Sequence, residues 1–519
     1  MMANFPLPYR VTLAGLLPEG IGNAVLAMKT IAGLDHNSAT VEPGDLFFAC
    51  PGIKHDGRRY IDDAVLRGAA VVLYEAQGAK EVMQKMDCVD VHRQPVTMIP
   101  VDNLAQQISA ISARYFHQPS QQLHCIGVTG TNGKTSCAFW IAHLLQKLGN
   151  KTGLIGTLGY QVLDGSESTA LQQTGFTTPD AIRLQQLLSG FREQQVTHAV
   201  MEVSSHSLEQ GRVNAVRFSS ALFTNLSRDH LDYHGSLEAY ATAKAKLFAF
   251  EHLQHAVINL DDALGAALAT QSTAKQVMTY SLRNSQADVH VRDLQLALSG
   301  ISGELVTPQG SFALSAPVIG EFNVSNLLGV IAVLCCEGFA VHDVLAALAG
   351  LDAPPGRLQR VSSAGDEISV FVDFAHTPDA LEKLLAALRP YTGGQLWCVF
   401  GCGGDRDRGK RPLMGQIVSS HADRAVVTSD NPRSEYPQAI IAEITAVMDG
   451  SKTIVVADRR QAIQQTIREA MAGDVIVIAG KGHEDYQEAN GIKVPFSDAQ
   501  EVVRALANRR GQDGRGQRT

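Results

Sequence analysis

Between residues 123 and 149 the chain passes from a short apolar strand through glycine-rich backbone into an amphipathic helix, and this succession limits the fold more than any other feature. Cys125-Ile-Gly-Val reads as a buried strand. Ile141, Leu144, Leu145 and Leu148 recur at helical spacing over 134–148, and Gly149 closes the pattern. Strand, turn and helix in that order are the repeating unit of a doubly wound parallel sheet. Ala199-Val-Met, Ala221-Leu-Phe and Ala256-Val-Ile-Asn supply further strands. A second α/β sheet is expected from Val370-Phe-Val-Asp, Leu396-Trp-Cys-Val-Phe-Gly, Ala425-Val-Val-Thr, Thr453-Ile-Val-Val and Val475-Ile-Val-Ile-Ala-Gly, which alternate with helices. Before both, Asp45-Leu-Phe-Phe-Ala and Ala69-Ala-Val-Val-Leu-Tyr stand among Gly, Pro and Asp as a small mixed α/β unit. Asp352-Ala-Pro-Pro-Gly breaks the helical pattern of 345–351 and marks a boundary. The tail from Arg509, all Gly, Gln and Arg apart from a few polar residues, has nothing to bury and is expected to fray.

Composition narrows the partners. A chain of 519 residues holds about three domains. Its 44 Lys+Arg against 52 Asp+Glu leave a net charge of −8, the wrong sign for a general binder of nucleic acid or anionic membrane. Anionic ligands must then be met by local positive groups. Eight cysteines without a C-x-x-C pair read as reduced thiols, not a disulfide scaffold. The first twenty residues lack a charged segment followed by a long apolar core, and the longest apolar stretch, 327–336, is far short of a membrane span. A soluble cytoplasmic protein, acting as a monomer, is expected.

The strongest chemical signal is Gly127-Val-Thr-Gly-Thr-Asn-Gly-Lys-Thr-Ser136. Glycine-rich backbone between strand and helix can turn its N–H groups toward phosphate, and the helix N-terminus adds its dipole. Lys134 would reach the β/γ oxygens and Thr135 would hold Mg²⁺, which predicts ATP binding. The strict pattern asks for Gly where Val128 stands, so Gly130 supplies the turn. After the next strand, Glu202 in Met201-Glu-Val-Ser-Ser-His is a strand-end carboxylate suited to Mg²⁺. Asn225-Leu-Ser-Arg-Asp-His-Leu-Asp-Tyr-His-Gly235 then concentrates two Asp, two His and an Arg beyond a strand, a density more typical of a site than of a solvated loop.

These motifs, with Gly320-Glu-Phe-Asn-Val-Ser-Asn, Val372-Asp-Phe-Ala-His-Thr-Pro-Asp and Asp430-Asn-Pro-Arg, resemble in order those of the Mur ligases, from about Ser38 to Ser497. The resemblance implies an α/β fold of three domains: a mixed α/β UDP-sugar-binding domain over 1–102, a central P-loop ATPase-like domain over 103–353 and a C-terminal Rossmann-like amino-acid-binding domain over 354–519. It implies a ligase that passes the γ-phosphate of ATP to the D-glutamyl carboxylate of a UDP-muramoyl dipeptide, after which the amine of meso-diaminopimelate attacks the acyl phosphate. Chemistry agrees, since a carboxylate is a poor electrophile until phosphorylation makes a leaving group.

Carried over residue by residue, the resemblance gives Lys134, Lys244 and His230 as catalytic. It gives Gly130, Thr131, Asn132, Gly133, Lys134, Thr135, Ser136, Asn323, Arg357, Asp373 and His376 to ATP. Thr135, Glu202, His230 and Lys244, the last as a CO₂-derived carbamate, fall to Mg²⁺. Ser38, Ile53, Lys54, His55, Thr177, Thr178, Ser204, Gln210 and Arg212 fall to the UDP-dipeptide, although the usual Asp-Ser-Arg reads Asn37-Ser38-Ala39 here. Diaminopimelate falls to Arg406, Asp430, Asn431, Pro432, Arg433, Gly480 and Glu484. Arg433 can grip the distal carboxylate that lysine lacks, while Glu484 and the Gly480 carbonyl accept from the neighbouring ammonium. Lysine bound in its place would leave Arg433 desolvated and unpaired, a penalty that sets a preference of roughly ten-thousandfold. Competing readings are a lysine-adding sister ligase, a folylpolyglutamate synthase-like ligase and an ATP-driven switch module.

Overall fold

The computed structural model describes residues 10–17, 28–52, 55–80, 96–363 and 365–516, the last six by backbone alone. The chain forms two compact units, Met1–Lys134 with Ile141–Met278, and Thr135–Trp140 with Thr279–Thr519.

In the first unit, Asp45–Ala49 shows how alternation layers a sheet. Leu46 and Phe48 share a core with Val71, Leu73, Ile99 and, from the following helix, Leu104, Ile111, Tyr115 and Phe116. Phe47 and Ala49 face the other way, onto Ile61, Ala64 and Val65. Gly33–Asp35, Asp45–Ala49, Val71–Glu75 and Thr97–Val101 lie parallel in that order, so the turns that follow them gather on one edge.

A second sheet in this unit runs His255–Asn259, Phe218–Phe223, His124–Thr129, His198–Glu202 and Thr152–Gly156, all parallel, with Gly159–Leu163 antiparallel beside the last. Helix Ala181–Glu193 covers one face through Leu184, Leu187, Leu188 and Phe191, the one-sided spacing of an amphipathic helix. From His124–Thr129 the chain builds strands first on one side and then on the other. The turn leaving that strand therefore opens at the switch point, where such sheets bind ligands, and this turn is the glycine-rich segment.

In the second unit, Val289–Ala297, Gly300–Thr307 and Gly310–Ala316 make an antiparallel meander, followed by helix Glu321–Cys336, buried almost all round. A six-stranded sheet then orders Gln359–Arg360, Ser369–Asp373, Val475–Ala479, Leu396–Phe400, Arg424–Val427 and Thr453–Val455, parallel except for the first. Phe371, Phe400 and Val477 meet helix Pro378–Leu388 on one face, while Val370, Val399, Ile476 and Ile478 meet Arg459–Glu469 and Asp498–Gly516 on the other. Cover on both faces explains why these strands read as unbroken apolar runs.

Arg459 braces the edge where this sheet ends. Its fully buried guanidinium makes two bonds to Asp498, at 2.8 and 2.7 Å, and donates to the Ala479 carbonyl at 2.8 Å. Removing one partner of such a buried pair costs about 3–5 kcal/mol. The boundary segment is equally fixed: Gly356 has φ +67°, and a Cβ there would lie 2.2 Å from the His483 nitrogen and 2.3 Å from the Gly482 carbonyl carbon. Only glycine meets both demands.

The expected frayed tail is corrected. Helix Asp498–Gly516 continues past Arg509 because its arginines find acceptors elsewhere. Arg509 donates to the Ile467 and Ala470 carbonyls at 2.6 Å, and Arg510 pairs with Asp366 at 2.6 Å. The described cysteines are all unbridged, and no helix among the described residues is long and apolar enough to cross a membrane.

Candidate active site

The glycine-rich turn is held by the strand-end segment beside it. Asn132 N–H donates to the Asn225 side chain at 3.0 Å, Asn225 Nδ2 returns a bond to the Asn132 carbonyl at 3.1 Å, and Thr131 N–H donates to the Asn225 carbonyl at 2.8 Å. Thr131 Oγ1 donates to the Ser227 carbonyl at 3.2 Å. Gly130 has φ +150°, and a Cβ on it would collide with Thr224 Oγ1 at 1.9 Å. Gly133, also left-handed, starts helix Lys134–Lys147.

Two ammonium groups converge on one carbonyl. Lys134 Nζ donates to the Gly130 and Thr131 carbonyls, both at 2.9 Å, and Lys244 Nζ donates to the same Gly130 oxygen at 2.7 Å. Lys244 is almost wholly buried on helix Leu237–Ala245, 4.4 Å over the Tyr240 ring. Burial, and then the charge of Lys134, push its pKa well below the ordinary lysine value. Its neighbour in sequence, Lys246, turns away to Glu209 at the surface.

His230 stands nearby with φ +53°, an uncommon backbone for a non-glycine residue. Burial, with Lys134 and Lys244 close by, lowers its pKa, and Asp229 opposes the shift. His206 is pushed further, to about 4, by burial and by His230 and His234. Its ring lies 4.1 Å from that of Tyr233 and 5.0 Å from that of His230.

Glu202 ends its strand in register with Val128, level with the start of the turn. Its oxygens accept from Thr157 N–H at 2.7 Å and Thr157 Oγ1 at 3.1 Å. Thr157 Oγ1 in turn accepts from Thr177 Oγ1 at 3.0 Å, while Thr178 Oγ1 donates to the Glu202 carbonyl at 2.8 Å and accepts from Ser204 N–H at 3.0 Å. Arg212 donates to the Thr178 carbonyl and makes two bonds to Gln210, whose amide reaches Tyr233. Thr177, Thr178, Ser204, Gln210 and Arg212 thus form one network joined to Glu202. Ser38 and His55 follow the adjacent parallel strands Gly33–Asp35 and Asp45–Ala49 and so share that sheet's edge. Ile53 and Lys54 lie outside the described residues.

The remaining nucleotide candidates belong to the second unit. Thr135 and Ser136 are buried in the first helical turn, and Arg357 Nη2 donates to Thr135 Oγ1 at 3.3 Å. The Arg357 guanidinium lies 4.5 Å over the Phe374 ring, whose other neighbours are His376 and His483. Asp373 spends its oxygens as a strand-end cap, accepting from Leu358 and Ala375 N–H at 2.6 and 2.7 Å. Asn323 Nδ2 caps the Ile319 carbonyl at 3.0 Å.

Three loops past the strands of the C-terminal sheet bring the amino-acid candidates together. Asp430 and Asn431 are buried, with Asp430 Oδ2 over Gly480, where a Cβ would meet it at 2.7 Å. Arg406 and Arg433 flank Gly403. The Arg433 backbone is left-handed and bonds to the Glu488 carbonyl and Asn490 N–H, which aims its side chain from the loop. That guanidinium is not bare: Nη1 donates to the Gly404 carbonyl at 2.7 Å, and Nε lies 3.9 Å from Glu488. Glu484 also has partners, Lys481 at 2.7 Å and Asn431 Nδ2 at 2.8 Å. The segment 481–484 forms a turn, with no helix start.

Sequence reasoning passed over Thr157, Ser227, Phe374 and Lys481 as individual site residues. Ser227 and Phe374 lie within motifs already singled out, and Lys481 lies between Gly480 and Glu484, but their neighbours carried the recognisable chemistry. Thr157 had only its place after a strand as a signal.

A lysine-bearing phosphate loop at the switch point of one parallel sheet, with a charged pocket on the carboxyl edge of another, defines a nucleotide-dependent enzyme of the α/β class. Residues 30–116 match the Mur ligase family catalytic domain, 128–334 the Mur ligase middle domain and 356–482 the Mur ligase glutamate ligase domain. A UDP-N-acetylmuramoyl-L-alanyl-D-glutamate--2,6-diaminopimelate ligase from Ectopseudomonas mendocina is 47% identical over 503 residues, covering 97% of this chain and 98% of the relative. The enzyme of that name from Pseudomonas aeruginosa is 48% identical over 498 residues, covering 96% and 98%. A solved structure with that name superposes with a TM-score of 0.70 at 38% identity, covering 97% of this chain and all of the other. The chain belongs to the Mur ligase family, a group of ATP-dependent amide ligases built from three α/β domains.

Proposed function

We propose that the protein joins meso-diaminopimelate to UDP-N-acetylmuramoyl-L-alanyl-D-glutamate at the expense of ATP, in the making of peptidoglycan precursors. The observation that carries this is the convergence of Lys134 and Lys244 on the Gly130 carbonyl, in a turn that Asn225 and Ser227 hold rigid. Lys134, held on this turn, needs an anion, and the γ-phosphate of ATP is one. Lys134 would steady the phosphoryl group as it moves to the D-glutamyl carboxylate, with Gly130 and Gly133 offering N–H groups, Thr131 and Asn132 held by Asn225 between them, and Thr135 and Ser136 next in the chain. In the second unit, Arg357, Asn323 and His376 would serve the nucleotide, with Asp373 fixing the Arg357 segment.

Lys244 is the second anion's source. Its depressed pKa leaves a share of neutral amine, which attacks CO₂ to form a carbamate and release one proton. That exchange turns a buried cation into an oxygen donor. Glu202, His230, Thr135 and this carbamate would be the residues to hold Mg²⁺, mostly through oxygen, and the ion would neutralise charge on the phosphates. The Thr178 to Arg212 network would hold the dipeptide, and Ser38 and His55 the uridine end.

At the C-terminal edge, Arg433 and Arg406 would take the carboxylates of diaminopimelate, and Glu484 with the Gly480 carbonyl its spectator ammonium. The other amine, once neutral, attacks the acyl phosphate; the amide forms and phosphate leaves. Domain limits are proposed near 353 for the second boundary and after Phe116 for the first, because Leu104, Ile111 and Tyr115 pack into the N-terminal core. The enzyme is placed in the cytoplasm, as a monomer, with its substrates.

ADP release measured with and without dipeptide and amine tests the reading. A ligase makes ADP only when both are present, whereas ADP made with neither would replace it by the switch module. An amine panel then decides the acceptor.

A further inference from the structure

We propose that Lys481 is a positioning residue for amino-acid specificity: its ammonium holds Asn431 and Glu484 in the one arrangement that leaves a Glu484 oxygen open to an ammonium group of the incoming diamino acid. The proposal rests on the reading of this edge as the amino-acid site.

The Lys481 side chain has no exposure, and its Nζ donates to Asn431 Oδ1 at 3.0 Å and Glu484 Oε2 at 2.7 Å. Replacing a buried ion pair by apolar groups is often neutral or better for stability, so packing alone gives little reason for a lysine here. Its donors give a reason. An ammonium cannot accept a hydrogen bond, so the Asn431 amide must present its oxygen, which also accepts from Glu488 N–H at 2.9 Å. The amide nitrogen is thereby aimed at Glu484 Oε2, at 2.8 Å. A flipped amide would set its NH₂ group against two donors.

Glu484 consequently takes both bonds on one oxygen. Oε1 makes no hydrogen bond among the described residues, and the side chain keeps 21% exposure. A free glutamate must be ordered when its ligand arrives; this one is ordered beforehand, which lowers the cost of binding. Lys481 acts on the ligand only through these two neighbours.

Steady-state kinetics of the full chain with Lys481→Met, Glu484→Gln and the double variant test this. Each single change should raise the KM for meso-diaminopimelate by about tenfold or more, with the KM for ATP within about twofold of wild type. The double variant should be no worse than the worse single one, because both remove the same presented oxygen. A Lys481→Met enzyme with an unchanged amino-acid KM overturns the proposal, as do two losses that multiply. Should Lys481→Met fail to fold, Lys481→Gln, which keeps a donor, is read by the same two tests. If the wild-type enzyme accepts a different amine, the functional reading fails separately, and the same cycle with that amine still decides the role of Lys481.

Discussion

At the phosphate loop, Lys134 and Lys244 rest on backbone carbonyls and crowd each other. At the amino-acid edge, Lys481 rests on Glu484, Arg433 on the Gly404 carbonyl near Glu488, and the neighbouring Arg411 on Glu435 and Glu443. Arg406 is the exception there, exposed and without a hydrogen bond among the described residues. The first region is short of negative charge and gains from any well-placed anion. The second is already balanced, so a ligand must exchange partners with it. Charge deficit favours affinity for phosphate, while exchange among fixed partners favours discrimination between similar amines.

The contrast breaks most visibly at Lys244. Lys244→Ala should abolish ligation, and small carboxylic acids should restore part of it by standing where the carbamate would; an unmodified ammonium in a crystal of active enzyme would refute the assignment. Lys134→Ala comes next. It should slow ligation about a thousandfold, worth several kcal/mol of barrier, while melting near wild type, since the lysine bonds to its own loop and anchors no core.

Arg433→Ala sharpens the other half. The bonds this arginine already makes reduce the penalty for leaving it without a carboxylate to about 2–3 kcal/mol, so the preference for meso-diaminopimelate over L-lysine should be nearer a hundredfold than ten-thousandfold. The variant should raise the amino-acid KM by a similar factor and leave that for ATP nearly alone; equal use of both amines by the wild-type enzyme would end the specificity claim.

The smallest effect compares two half-buried histidines, one in each unit. His206 and His483 both have pKa values lowered from 6.5 to about 4, chiefly by burial. On acidification the unfolded chain takes up these protons first, so their contribution to stability falls as pH drops from about 6.5 toward 4 and is constant below. Thermal melts across that window should show the loss, and His206→Gln should flatten part of it. A melting temperature independent of pH there would mean that neither histidine is held neutral.

Parts of each site were legible for a local reason. The turn from 127 to 136 carries its strand, glycines, lysine and helix start within a few residues, and short-range spacing is what a sequence displays. Both-face burial of the C-terminal strands was legible in the same way, as unbroken apolar runs. The uses of Thr157 and Lys481 were not, because neither residue type at its position implies a partner.

What the order of residues determined by itself is therefore local: which segments are strands, where glycine must turn the backbone, and which side chains stand at strand ends. Tertiary structure decided the pairings. Lys244 meets Gly130 across 114 residues, Lys481 meets Asn431 across 50, and Arg510 reaches Asp366 across 144 to carry a helix where a frayed tail was expected. Hydrogen bonds and burial act over a few ångströms, whereas the chain separates their partners by any distance, and only the packed sheets bring those two scales together.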